Sequence, residues 1–144
     1  MICLLDTNVL IGILREHKLI ALKYKQLTKK QQDKGITSYT IAELYEGVNR
    51  VESLKKMEAQ LKLLEILLND FEKRNRIFSL TRKEAEKYAE LKIALEKKGT
   101  PIPIIDLLIG TIAIVNNYKF ITTDKKNFQN LKDIIPKFNI EYWI

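Results

Sequence analysis

The sequence predicts an α/β fold: a central, mainly parallel sheet of four to five strands flanked by helices. Three observations carry that prediction. Short apolar runs of strand length alternate with longer segments of helical periodicity. The chain has 144 residues, enough for one domain with a full hydrophobic core. No internal repeat or low-complexity linker divides it, so residues 1–144 are read as a single domain.

The elements follow in order. Residues 2–5 read as a short buried strand. Residues 9–15 read as a short helix, and 18–34 as a lysine-rich helix ending before Gly35. Ile36 and Thr37 mark a second strand. Residues 39–50 read as a helix with Ile41, Leu44, Tyr45 and Val48 on one face. Residues 53–73 carry a longer helix with Leu61, Leu64, Ile66, Leu67 and Leu68. Arg76 to Leu80 reads as a third strand. Thr81 to Lys98 is a helix with Thr81 as N-cap and Glu84 three residues on, the capping-box pattern. Gly99, Thr100 and Pro101 end it. A helix over 105–117, a strand over 119–122, a short helix over 124–132 and a strand over 139–143 complete the chain.

Composition narrows the classes. The apolar fraction is 46% and the charged fraction 30%, as in a soluble globular protein. Cys3 is the single cysteine, so no internal disulfide is possible, and no Cys/His cluster has zinc spacing. A reducing, cytoplasmic setting is expected. The apolar N-terminus lacks a basic n-region and a small-residue cleavage site, and Asp6 interrupts it, so it is not read as a signal peptide. The apolar stretch from Ile102 to Val115 contains Asp106 and is too short to span a bilayer. The formal net charge is +7 and the sequence pI about 9.4. A basic chain attracts phosphate backbones, although lysine-rich faces are also ordinary solvated surfaces. Lys18, Lys23, Lys25, Lys29, Lys30 and Lys34 crowd one stretch with few acids.

Four acids stand out. Asp6 lies between apolar runs, after the first strand and before the first helix. Taken alone it reads as a helix cap. Asp124 repeats the pattern after the strand 119–122. Asp106 opens a helix that is apolar on all sides and therefore buried. The helix dipole returns about 0.3–1 kcal/mol to an acid there, against a desolvation cost of several kcal/mol. A polar cleft holding a cation accounts for it better than a cap. Glu43 lies roughly opposite the apolar face of the helix 39–50. Periodicity makes it a solvated glutamate and does not prefer it over Glu46.

Other chemistries are missing. His17 is the only histidine and sits in a charged stretch, so no Ser-His or Cys-His pair can be built. There is no GxxxxGK[ST] loop and no GxGxxG fingerprint. Acids are the main catalytic groups available. Acids without histidine suit Mg2+ or Mn2+, hard ions that prefer oxygen ligands.

The stretches LLDTNVLI, SYTIAELYEG, PIPIIDLLIGTIAIV and FITTDKKNF together resemble the PIN-domain nucleases, and among them the VapC-type toxins of toxin–antitoxin pairs. The resemblance runs from the first strand to the last helix. It implies a PIN-like three-layer sandwich with acids converging at one end of the sheet. Asp6 matches the family's first acid, Glu43 the second, Asp106 the third and Asp124 a fourth position. Thr7 or Asn8, and Thr122, match polar positions that support the acids. The family implies a Mg2+- or Mn2+-dependent endoribonuclease, often a homodimer, held inactive by a small antitoxin. Two positions depart from its pattern. Ile104 stands where relatives often carry an acid, and Asn127-Phe128 where they often have Asp-Phe.

Alternatives remain open at this point. An acid after the first strand also occurs in aspartate-nucleophile phosphatases, but those resemble Asp-x-Asp and here the pattern is Asp6-Thr7-Asn8. The fold could serve as a non-catalytic RNA- or protein-binding module, or as a PIN nuclease of RNA maturation or decay. Leu10, Ile13, Leu14 and the apolar positions of the helix 53–73 are read as core, or more sharply as a groove for an antitoxin segment or a dimer surface.

Overall fold

The computed structural model describes all 144 residues. β1 (Cys3–Leu5) is followed by α1 (Thr7–Leu14) and α2 (Lys18–Lys29). β2 (Lys34–Thr37) leads into α3 (Ser38–Asn49) and α4 (Leu54–Lys73). β3 (Ile77–Phe78) precedes α5 (Arg82–Lys98) and α6 (Ile104–Asn116). β4 (Lys119–Thr122), α7 (Lys125–Ile134) and β5 (Ile140–Tyr142) close the chain. The five strands form one sheet in the order β3-β2-β1-β4-β5, and every pairing is parallel. The predicted α/β class and parallel sheet are therefore observed.

Strand alternation sends successive side chains to opposite faces, and helices cover both. Cys3, Leu5, Ile36 and Ile121 pack against α1 to α4 through Leu10, Leu14, Ile20, Leu44, Leu64 and Phe71. Leu4 and Phe120 pack the other way, against Leu95 of α5, Ile109 and Ile112 of α6, and Phe128 of α7. This is the three-layer sandwich. Leu10 and Leu14 belong to the core, whereas Leu54 and Ile66 of α4 stay exposed. No helix is long and apolar enough to cross a membrane.

Three of the boundaries that differ from the sequence reading have a clear local cause. α1 begins at Thr7, two residues earlier than predicted, because Asp6 supplies its N-cap. α2 ends at Lys29, not at 34. The chain turns there, with Gln31 in a left-handed conformation (φ 52°), and the Asp33 carbonyl already accepts the Cys3 N–H at 2.8 Å. β3 spans only Ile77 and Phe78 rather than Arg76 to Leu80, since only those two residues find register partners on β2. The capping box of α5 is present as read: the Thr81 N–H and hydroxyl both donate to Glu84.

Candidate active site

The chain leaves β1 toward β2 and β3, then returns past β1 to build β4 and β5. The strand order thus reverses between β1 and β4, and a crevice opens beyond their carboxyl ends. Asp6 follows β1 and Asp124 follows β4, so the two acids flank that crevice. The N-termini of α1 and α7 start at the same place, and their dipoles favour negative charge there.

Asp6 is nearly fully enclosed, at 2% exposure. Its Oδ1 accepts the Thr7 N–H at 2.8 Å and its Oδ2 accepts the Thr122 hydroxyl at 2.6 Å. Capping and a second role are compatible, because the far oxygen is turned toward β4. Asn8 ties the start of α1 to the same loop: its Oδ1 accepts the Thr123 N–H at 3.1 Å, and its amide lies 3.5 Å from the Thr122 hydroxyl.

Glu43 is half-buried, not solvated. The Thr7 hydroxyl donates to its Oε1 at 2.6 Å and also stands 3.0 Å from the Thr40 hydroxyl. Glu46, by contrast, is exposed and pairs with Arg50 at 2.8 Å. Helical periodicity misjudged Glu43 because what faces it is the first turn of α1, a neighbour the sequence does not reveal.

Asp106 sits in the first turn of α6 and is partly buried. Asp124 caps α7, with its Oδ1 accepting the Asn127 N–H at 3.1 Å and its Oδ2 the Asn127 side-chain amide at 2.9 Å. Asn127, one of the two departures, therefore orients Asp124. Ile104, the other, is exposed at the start of α6. The sequence reading gave no supporting role at the site to Thr37, Thr40 or Asn127. Thr37 is an N-cap by position, and Asn127 stands three residues after a capping acid, so local signals existed for both.

The four acids feel one another. Burial pushes the Asp6 carboxyl up to about 7; the Thr122 hydrogen bond opposes this, and the charges of Asp106 and Glu43 add to it. Burial also pushes Asp106 up to about 6, reinforced by Asp124 and Glu43. None of the chain's ion pairs involves any of the four. A cluster of carboxylates paired with no basic side chain, in a chain of net charge +7, carries an unbalanced local negative charge. Its donors are oxygens only, which fits a hard divalent ion. No three of the chain's His, Cys, Asp and Glu side chains stand close enough to grip one ion directly. Water would have to bridge part of the distance, as is usual for Mg2+.

The chain's likenesses agree with this geometry. The PIN domain pattern matches residues 3–134. The chain is 34% identical over 143 residues to Ribonuclease VapC2 of Rickettsia felis, covering 99% of this chain and 98% of that protein. Its structure resembles that of VapBC2 from Rickettsia felis bound to a DNA fragment from their promoter, with a TM-score of 0.78 and 29% identity over 100% of both chains. It also resembles FitAcB from Neisseria gonorrhoeae, with a TM-score of 0.78 and 28% identity over 90% of this chain and 92% of that one.

Proposed function

The chain belongs to the PIN-domain family, in its VapC-type branch, and on that premise we propose that the acids beyond β1 and β4 hydrolyse RNA with Mg2+ or Mn2+. The observation that carries this reading is the set of acids at the reversal of strand order, none of them in an ion pair. Asp6, Glu43 and Asp106 would hold the ion, in part through water, and Asp124 would complete the pocket. When bound, the ion makes water a better nucleophile and offsets the charge that builds on the phosphate. Thr122 and Thr7 fix the carboxylates of Asp6 and Glu43 by hydrogen bonds. Asn127 does the same for Asp124.

The likeness to VapBC2 supports a small antitoxin as partner and the role of toxin. A homodimer and a cytoplasmic setting fit the same reading. A phosphatase that phosphorylates Asp6 is disfavoured, because Asn8 occupies the position of the second aspartate and is committed to the Thr123 N–H.

The test is cleavage of RNA in Mn2+ by the purified, folded protein and by Asp6→Asn. Loss of cleavage in the variant is expected. Undiminished cleavage would overturn the assignment.

A further inference from the structure

α2 and the free edge of the sheet enclose a groove of about 300 Å3 that contains none of the four acids. Lys23, Gln26, Lys30, Lys119, Glu141 and Trp143 line it. Its one acid is already neutralised: the Lys119 ammonium stands 3.1 Å from Glu141. Lys23 and Lys30 have no carboxylate partner. The groove is therefore cationic, with an amide beside the ammonium groups.

Its position is the second observation. Trp143, which walls one end, donates its backbone N–H to the Thr122 carbonyl at 2.9 Å. Thr122 in turn holds Asp6. Lys119 lies three residues earlier on β4, about 10 Å down the strand at a rise of about 3.3 Å per residue. Trp143 therefore marks the groove's end nearer the acids, and the groove runs from there toward the N-terminal end of β4 at Lys119. The Lys23 ammonium stands 6.0 Å from the centre of the Trp143 ring, at the outer reach of a cation–π contact. On the opposite face of β5, Lys125 stands 5.9 Å from the Tyr142 ring and directly follows Asp124. An ammonium group within about 6 Å of an aromatic ring thus lies on each face of β5.

We propose that this groove binds the sugar-phosphate backbone of single-stranded RNA leaving the acid pocket, with Lys23 and Lys30 contacting phosphates. Lysine and amide donors are what phosphate contacts use. The inference rests on the ribonuclease reading, since it assigns a path to that substrate.

The experiment measures binding, not cleavage. A fluorescent single-stranded RNA is titrated with Asp6→Asn protein over a range of salt, its integrity checked on a gel. Lys23→Gln/Lys30→Gln is compared in the same background, with Lys83→Gln/Lys87→Gln, beside the C-terminal end of α6 and away from Asp106, as control. Each phosphate contact on a single strand contributes a slope of about 0.7 in log K against log salt, so two contacts are worth roughly 25-fold at 0.1 M. A loss of that order, with the slope reduced by about 1.4, is expected for the groove variant. No comparable change is expected for the control. Equal affinity in parent and groove variant, with melting curves showing both folded, would overturn the proposal. So would absence of RNA binding by the parent. Retained RNA affinity with lost affinity for the antitoxin would assign the groove to a protein partner and overturn it too. If wild-type protein fails to cleave RNA but the groove variant still loses affinity, the ribonuclease reading falls and the groove stands.

Discussion

Thr122 donates a 2.6 Å hydrogen bond to Asp6 Oδ2 across 116 positions of sequence. The same hydroxyl oxygen accepts the Asp124 N–H at 3.0 Å. One threonine at the end of β4 therefore holds the acid that ends β1 and the backbone of the acid that begins α7. It favours the charged form of Asp6 in a site where burial and two neighbouring carboxylates oppose it.

Thr122→Val removes that hydroxyl with little change of shape. Asp6 Oδ2 loses its donor, and the Asp6 carboxyl is expected to titrate above its present value of about 7. Partners that orient metal-binding carboxylates are typically worth 10–100-fold in affinity or activity. RNA cleavage at pH 7 is expected to fall by about that factor and to recover partly at higher pH. A pH–rate profile in Mn2+ measures it. A uniform loss with an unmoved profile would separate Thr122 from the titration of Asp6.

The raised carboxyls make a prediction for the metal-free protein. Unfolded Asp titrates near 3.8, whereas Asp6 and Asp106 in the fold titrate near 7 and 6. Between those limits the folded state binds more protons than the unfolded state. Its stability therefore falls as pH rises through that window. In EDTA the melting temperature is expected to drop from about pH 5 to pH 8, by the equivalent of a few kcal/mol at most. Saturating Mg2+ or Mn2+ is expected to flatten the curve by neutralising the site. A flat curve in EDTA over that range would contradict the burial, and the added repulsion, on which the prediction stands.

Asp6→Asn separates stability from function. The neutral amide removes a buried charge, and its repulsion by Asp106 and Glu43, from a site that is 2% exposed. Its oxygen can accept the Thr7 N–H, and its NH2 can donate to the Thr122 hydroxyl. The variant is expected to melt a few degrees higher than wild type in EDTA and to lose the stabilisation that divalent ions give. Cleavage is expected to fall below detection. Active sites hold such strain at a cost in stability. Thermal melting with and without Mn2+ checks it, and a variant that melts lower would show that the Asp6 charge is well solvated.

Much of this was legible in the sequence, and the exceptions have physical causes. Asp6 and Asp124 could be placed because an acid between a strand and a helix has few places to go. Asp106 was legible because the helix after it is apolar on every side, and six of its residues are buried. Glu43 was not legible from periodicity, since its environment is the hydroxyl of Thr7, 36 positions away. The end of α2 was misjudged because lysines support a helix as well as a turn, and no glycine or proline marks Lys29. The cationic groove could not be read at all. Lys30, Lys119 and Trp143 meet only because β5 pairs beside β4, and sheet order is not written in local pattern.

Gly35 tests the edge of the sheet away from the acids. It lies on β2, and a Cβ there would stand 2.5 Å from Cε2 of the Phe78 ring and 3.3 Å from the Arg76 carbonyl oxygen. Phe78 cannot easily swing clear, because its ring packs on Tyr118 with centroids 5.1 Å apart. The Arg76 carbonyl is fixed as well, since it accepts the Ile36 N–H at 3.0 Å. Gly35→Ala is therefore expected to cost about 1–3 kcal/mol, as overpacking of a filled interior does. Gly35 precedes Thr37 by two residues, so the strain falls away from the carboxyl end of β2, where α3 and Glu43 begin. Cleavage per folded molecule is expected to stay within twofold of wild type well below the melting temperature. Chemical denaturation and initial rates on one preparation measure both quantities. Unchanged stability would mean that β3 yields freely, and the two-residue pairing with β2 would then contribute little to the fold.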